Sequence, residues 1–316
     1  MVNIQSIHPQ KVNSENLIQF LSDLCKQAVK IDYSHQPQNH PIILINAVKN
    51  IIGDDKMNPS NDLTEFCELI IHSFPTRKDD EKLWKNIIAD GIGLSVFTDE
   101  IEHAVMTGDQ DRAQVEIVRQ IFASNYSSAI LELLAELAIH NVNDLGLFTF
   151  HWLRSYHFHQ DEKALWSYAR CMISQIFKCK LLPLSENSPL IPERITHEIP
   201  SPNQMNIIPQ YSALMRLWDG VYVRLHTFRK AIFKWMGEQH FKPETSNNRS
   251  STAKLEQYLL NGGRYFIELS EEIIKKYPQV HSVNKIIQLE ALRGIAKNSN
   301  PESFQRIANC LNFLIQ

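Results

Sequence analysis

One stretch, NDLGLFTFHWLRSYHFH at residues 143–159, limits what this chain can fold into. Leu147, Phe150, Trp152, Leu153, Tyr156 and Phe158 leave a helix of that length no single dry face. A helix apolar nearly all round is buried on most sides, so the rest of the chain must surround this segment. On a period of about 3.6 residues, His151, Ser155 and His159 fall on one stripe and Arg154 and His157 on its neighbour. The functional expectation is a buried helix pointing imidazoles into a pocket. The plainer expectation is a core helix whose histidines find hydrogen bonds or reach solvent near its end.

The surrounding elements read as helices. A 3.6-residue apolar period recurs over residues 14–29, 41–52, 62–72, 127–140 and 161–178, and strand-like alternation is scarce. Only 10 glycines occur, fewer than the turns of a sandwich or doubly wound sheet usually need. Neither GxGxxG nor GxxxxGK[ST] is present, which disfavours a Rossmann or P-loop core. The expected fold is all-α: an antiparallel helical body over residues 1–181, and a Pro-rich linker or lid over 182–210. Further helices over 211–316 either stand apart or pack on the first body. Six of the 14 prolines fall within 182–210, which rules out a regular helix there. A long helix is expected from Tyr211 to about residue 240, a polar mobile stretch over 243–251, and two short helices at the end.

Net charge is −3 from 32 basic and 35 acidic residues, which argues against a dedicated nucleic-acid surface. No run approaches about eighteen apolar residues, so no membrane span is expected. The N-terminal MVNIQSIHPQKVN carries no basic-then-apolar signal. The five cysteines are scattered without a CxxC, as suits a reducing compartment. The expectation is a cytoplasmic protein.

Four residues form the candidate catalytic set: His151, Arg154, His40 and His103. His40 lies at the mouth of the helix in NHPIILINAVKNIIG, where the positive dipole end favours a neutral imidazole and Asn39 can cap; the plainer reading is a surface residue in a turn. Glu100 and His103 make a Glu-x-x-His pair of the kind found in di-metal carboxylate bundles, and Glu136 and His140 imitate a second copy. The plainer reading of Glu100 is a carboxylate complementing a helix N-terminus. Asp219 reads as an i,i+3 ion pair with Arg216, or as an acid facing the cavity of His151.

Two parts of the chain resemble questin-oxidase-like proteins: NHPIILINAVKNI, and HAVMTGDQDRA followed by ILELLAELAIHN and the helix around His151. The likeness spans roughly residues 35–175 and lies in the pattern. It combines an early His-bearing apolar helix, a Gly-Asp turn within a helix pair, and later helices carrying histidine. The resemblance implies a monooxygenase-like oxidoreductase that inserts oxygen into a fused-ring aromatic ketone, with NADPH as reductant. It carries no catalytic assignment onto particular residues.

Two functions follow from the residues. In the first, the protein is an enzyme with a small-molecule ligand: imidazoles serve as bases or metal ligands, and Arg154 holds an anionic or oxygen-rich substrate. In the second, it is a non-catalytic helical scaffold for a protein partner, which requires an exposed apolar groove.

Overall fold

The computed structural model describes residues 12–91, 96–181, 191–192, 195, 199–239 and 250–316. Residues 182–190, 193–194 and 196–198 of the Pro-rich stretch expected at 182–210, and most of the polar stretch expected at 243–251, lie outside the described residues.

The chain is all-α. In order, the helices are α1 (Leu17–Ala28), α2 (Pro41–Ile52), α3 (Asn61–His72), α4 (Asp80–Ala89) and α5 (Thr98–Thr107). There follow α6 (Gln110–Ala123), α7 (Ala129–Ala138), α8 (Val142–His159), α9 (Leu165–Ile176) and α10 (Ile208–Trp218). The last are α11 (Leu225–Glu238), α12 (Ala253–Asn261), α13 (Tyr265–Lys276), α14 (Gln279–Lys297) and α15 (Phe304–Ile315). Among the described residues, the one β-type pairing is an isolated bridge between Ile31 and Thr76.

The density of apolar residues in α8 has the expected consequence. Phe148, Trp152 and Leu153 are fully buried, and α8 packs against α1, α2, α7, α9, α10 and α11. Asn141 caps it, its Oδ1 accepting from Asp144 N at 3.1 Å. The second helix buried on nearly every side is α2, with eleven of its twelve residues inside. Its cap is His40 rather than the expected Asn39: Nδ1 accepts from Ile42 N at 3.2 Å, and Pro41 fills the first helical position.

Four helices close the centre: α2 packs on α8 and α14, and α10 packs on the same two. Sequential neighbours at the periphery fold back on one another, as α5 and α6 do about the left-handed Gly108 (φ +81°). The central four instead run parallel. His40 meets Phe148 and Asn46 meets His151, so residue numbers rise together along α2 and α8. The same holds for α10 on α8, where Gln210 binds Leu147 and Arg216 covers Phe150. It holds for α14 on α2 through Asn50–Glu290 and Asp54–Arg293, and for α10 on α14 through Met205–Gln288, just before α10, and Arg216–Gly294. Parallel neighbours cannot be joined by short turns, so α3 to α7 carry the chain back between α2 and α8, and α11 to α13 between α10 and α14.

Two expectations from periodicity are corrected here. The long helix from Tyr211 is two helices, α10 and α11, separated at residues 219–224. Gly220 permits the turn, since a Cβ there would lie 2.2 Å from the Tyr222 ring. Glu132 on α7 then accepts from Val223 N at 2.8 Å and Arg224 N at 3.4 Å, supplying the cap that α11 lacks in its own sequence. At the other end, the chain does not close on two short helices. The first of them is α14, 19 residues long and central. Its interior Gly294 is no break, because the position faces the Arg216 guanidinium, 3.1 Å from where a Cβ would stand. Similarly, α5 begins at Thr98 after Phe97, without a side-chain cap.

Candidate functional site

The centre of the four parallel helices is polar at two levels. At the first, Asn46 on α2 lies 2.8 Å from Nδ1 of His151 on α8. An amide nitrogen only donates, so Nδ1 accepts and the ring proton sits on Nε2. The other end of that amide, Oδ1, is buried without a hydrogen-bond partner among the described residues. At the second level, Glu290 on α14 is wholly buried and accepts from Asn50 Nδ2 at 2.8 Å and from both terminal nitrogens of Arg216, at 2.7 and 2.9 Å. The guanidinium of Arg216 lies 4.3 Å from the centre of the Phe150 ring on α8. All four helices thus contribute to one arrangement, a bidentate ion pair under an aromatic face.

Charge states follow from this packing. Burial drives the His151 pKa down to about 3, with Glu290 opposing and Arg216 and Lys49 assisting, so the ring is neutral at neutral pH. Burial pushes Glu290 the other way, but the Arg216 guanidinium outweighs it and holds the carboxyl at about 2. Lys49, one position from Asn50 on α2, is brought down to about 8 by burial, and its ammonium lies over the Phe158 ring at 4.9 Å.

A cleft of ≈ 500 Å³ opens above the second level, at the C-terminal ends of the four helices. Its floor is Asn50, Phe150 and Arg216, and its rim includes Arg154, Asp219 and Tyr222. Four C-terminal ends bring partial negative charge together, and cations there are stabilising. Most of the lining cations are spent in this way or on carboxylates. Arg216 serves Glu290, while Arg293 and Lys297 both serve Asp54, at 2.6 and 2.8 Å. Arg154 is exposed and makes no ion pair or side-chain hydrogen bond among the described residues. Asp219 is likewise exposed and uncommitted, since its expected partner Arg216 is held by Glu290. Between them stands His157, its ring stacked on Tyr222 at 6.3 Å and 23°. Burial, then the charge of Arg154, lowers its pKa, so it too is neutral at neutral pH.

The four sequence-chosen residues are not brought together. Arg154 is on the cleft, and His151 is buried beneath it with Asn46 rather than with another histidine. His40 sits in a separate setting, between the rings of Tyr33 and Phe148, with Nε2 3.6 Å from Cys171 Sγ. Burial holds that imidazole at about 3 and that thiol at about 12, so the pair is neutral and inert. His103 is exposed on α5, at the periphery. The metal-like pairs dissolve into ion pairs: Glu100 binds Arg112, and Glu136 binds Arg224 and Thr227. Among the described residues, no three His, Cys, Asp or Glu side chains are grouped to hold a metal ion.

The residues missed by sequence reasoning are Asn46, Asn50, Arg216 and Glu290. A signal existed for three of them. Asn46 and Asn50 stand at i,i+4 in a helix whose only other polar side chain is Lys49, and Glu290 interrupts IIQLEALRGIA. A polar side chain in such a run needs an internal partner.

The nicotinamide dinucleotide implied by the resemblance does not fit this cleft. A pyrophosphate is held by helix N-termini and glycine-rich turns. Here four C-termini face the space, and one uncommitted guanidinium remains to meet the charge. No family model matches the sequence, no curated protein matches it, and no solved structure matches it.

Proposed function

We propose that the protein is a small-molecule enzyme whose substrate is an aromatic, oxygen-rich compound with one anionic group, bound in the cleft at the C-terminal ends of α2, α8, α10 and α14. One observation carries this reading: Arg154 is the lining cation that pairs with no carboxylate among the described residues. A planar guanidinium pairs bidentately with a carboxylate. Phe150 and Tyr222 offer aromatic surface for the body of the ligand, and neutral His157 is a base within the same space. The oxidoreductase class, with oxygen insertion into a fused-ring ketone, is supported by the resemblance alone. His151 supports the site from below, as a positioning group beside the Glu290–Arg216 pair.

Isothermal titration with a hydroxyanthraquinone carboxylate tests the reading. Arg154→Ala is expected to weaken binding at least tenfold, and Asn50→Ala to weaken it less. Equal affinity of wild type and Arg154→Ala overturns it.

A second reading, a non-catalytic scaffold for a protein partner, is favoured by Val221 and Val223. They flank Tyr222 at the cleft and are 99 % and 93 % exposed. Solvent-exposed β-branched residues side by side suit an apolar contact. Under this reading Arg154→Ala changes no small-molecule affinity.

A further inference from the structure

The opposite, N-terminal end of the four-helix centre holds a second cleft, of ≈ 360 Å³, within the size range of small-molecule sites. Its lining has a chemistry unlike that of the first. Eight of its thirteen residues are carboxamides and none is charged or a histidine.

These amides divide into two groups. Four are fastened to the framework. Gln38 Nε2 donates to Asn143 O at 2.9 Å, and Gln288 Nε2 to Met205 O at 3.1 Å. Gln210 Oε1 accepts from Leu147 N at 2.9 Å, and Asn143 Oδ1 from Trp235 Nε1 at 3.0 Å. The other four, Asn39, Asn206, Gln239 and Asn284, make no side-chain hydrogen bond among the described residues. Leu147, Ile207, Pro209 and Ile287 supply apolar surface between them.

We propose that this cleft is a binding site for an uncharged, polyhydroxylated molecule, a neutral sugar of one or two rings. A hydroxyl both donates and accepts, and so does a carboxamide, whose oxygen and nitrogen can serve two neighbouring hydroxyls at once. The apolar patches suit the C–H faces of a sugar ring. A charged ligand would be taken out of water with no counter-charge to meet it. An anion drawn by the helix N-termini is already provided within the chain: Asp144 stands in the first turn of α8, held by Asn141 Nδ2 at 2.8 Å. The site is independent of the Arg154 cleft.

Saturation-transfer NMR with glucose, galactose, maltose and trehalose, followed by titration of the responding sugar, tests the assignment. At least one sugar is expected to bind the wild type, and Asn39→Ala and Asn284→Ala, both at exposed positions, are each expected to weaken it about fivefold or more. Arg154→Ala is expected to leave sugar affinity unchanged, which separates this site from the first. Gluconate is expected to bind less well than glucose. Absence of transfer to all four sugars, affinity insensitive to both Asn variants, loss in Arg154→Ala, or preference for gluconate each overturns the proposal.

Discussion

Asn46 donates to Nδ1 of His151 across 2.8 Å, joining two parallel core helices whose partners lie 105 positions apart in the chain. That one bond sets the tautomer of the most buried histidine of α8, while the amide oxygen has no partner among the described residues. The pair is therefore a half-satisfied polar contact in an apolar setting, and its two members depend on each other.

Replacing one member strands the other. Asn46→Leu is expected to lower stability by about 1–3 kcal/mol, because Nδ1 of the buried His151 then loses its donor. A double-mutant cycle with His151→Leu in urea denaturation is expected to give a coupling of roughly 1 kcal/mol or more. Strict additivity would show that the contact contributes nothing.

Acid stability carries the signature of the buried imidazoles. His151 and His40 are held at about 3, below their ordinary value near 6.5. The unfolded chain binds those protons first, so their contribution is complete above about pH 6.5 and is lost as pH falls towards 3. Glu290, held at about 2, adds a further loss as pH falls from its ordinary 4.5 towards that value. Folding stability should thus decline steadily below neutral pH. His151→Gln is expected to reduce the slope between pH 6 and 4 by about one proton, or about 1.4 kcal/mol per pH unit. An unaltered slope in that variant would mean that His151 titrates normally.

The Glu290–Arg216 pair gives an asymmetric outcome. Glu290→Gln or Arg216→Met alone is expected to cost about 3–5 kcal/mol, since each leaves a buried group of the other kind uncompensated. The double variant Glu290→Leu with Arg216→Met should cost less than either single change. Denaturation midpoints that fall further in the double variant than in both singles contradict the buried-pair account.

Close approach of α8 and α10 rests on Gly146. A Cβ there would stand 2.6 Å from Gln210 Nε2 and 3.0 Å from Leu214 Cδ2. The Gln210 amide cannot retreat freely, because it binds both Leu147 N and Val142 O. Gly146→Ala is expected to destabilise by about 1–3 kcal/mol, despite alanine's higher helix propensity. A gain in melting temperature would show that the two helices can separate at no cost.

Local chemistry made much of this legible in advance. Apolar period and scarce glycine marked the chain as all-α, and the density around Trp152 marked α8 as buried on most sides. These are properties of neighbours within a few residues, which the helical repeat places on a common face. Arg154 could be recognised as chemically distinctive for the same reason. Partnership across the core was not legible. Asn50 meets Glu290 over 240 positions, and Arg216 takes Glu290 in preference to Asp219, its neighbour on the helix ladder. Nor does any local pattern state that α2, α8, α10 and α14 run parallel, gathering cations at one end and carboxamides at the other. Local periodicity set the all-α class and which faces most helices hide, but not the break at residues 219–224 or the length of α14. The tertiary structure alone decided which buried polar groups meet, because a desolvated charge selects its partner by distance and geometry in the folded core, not by separation along the chain.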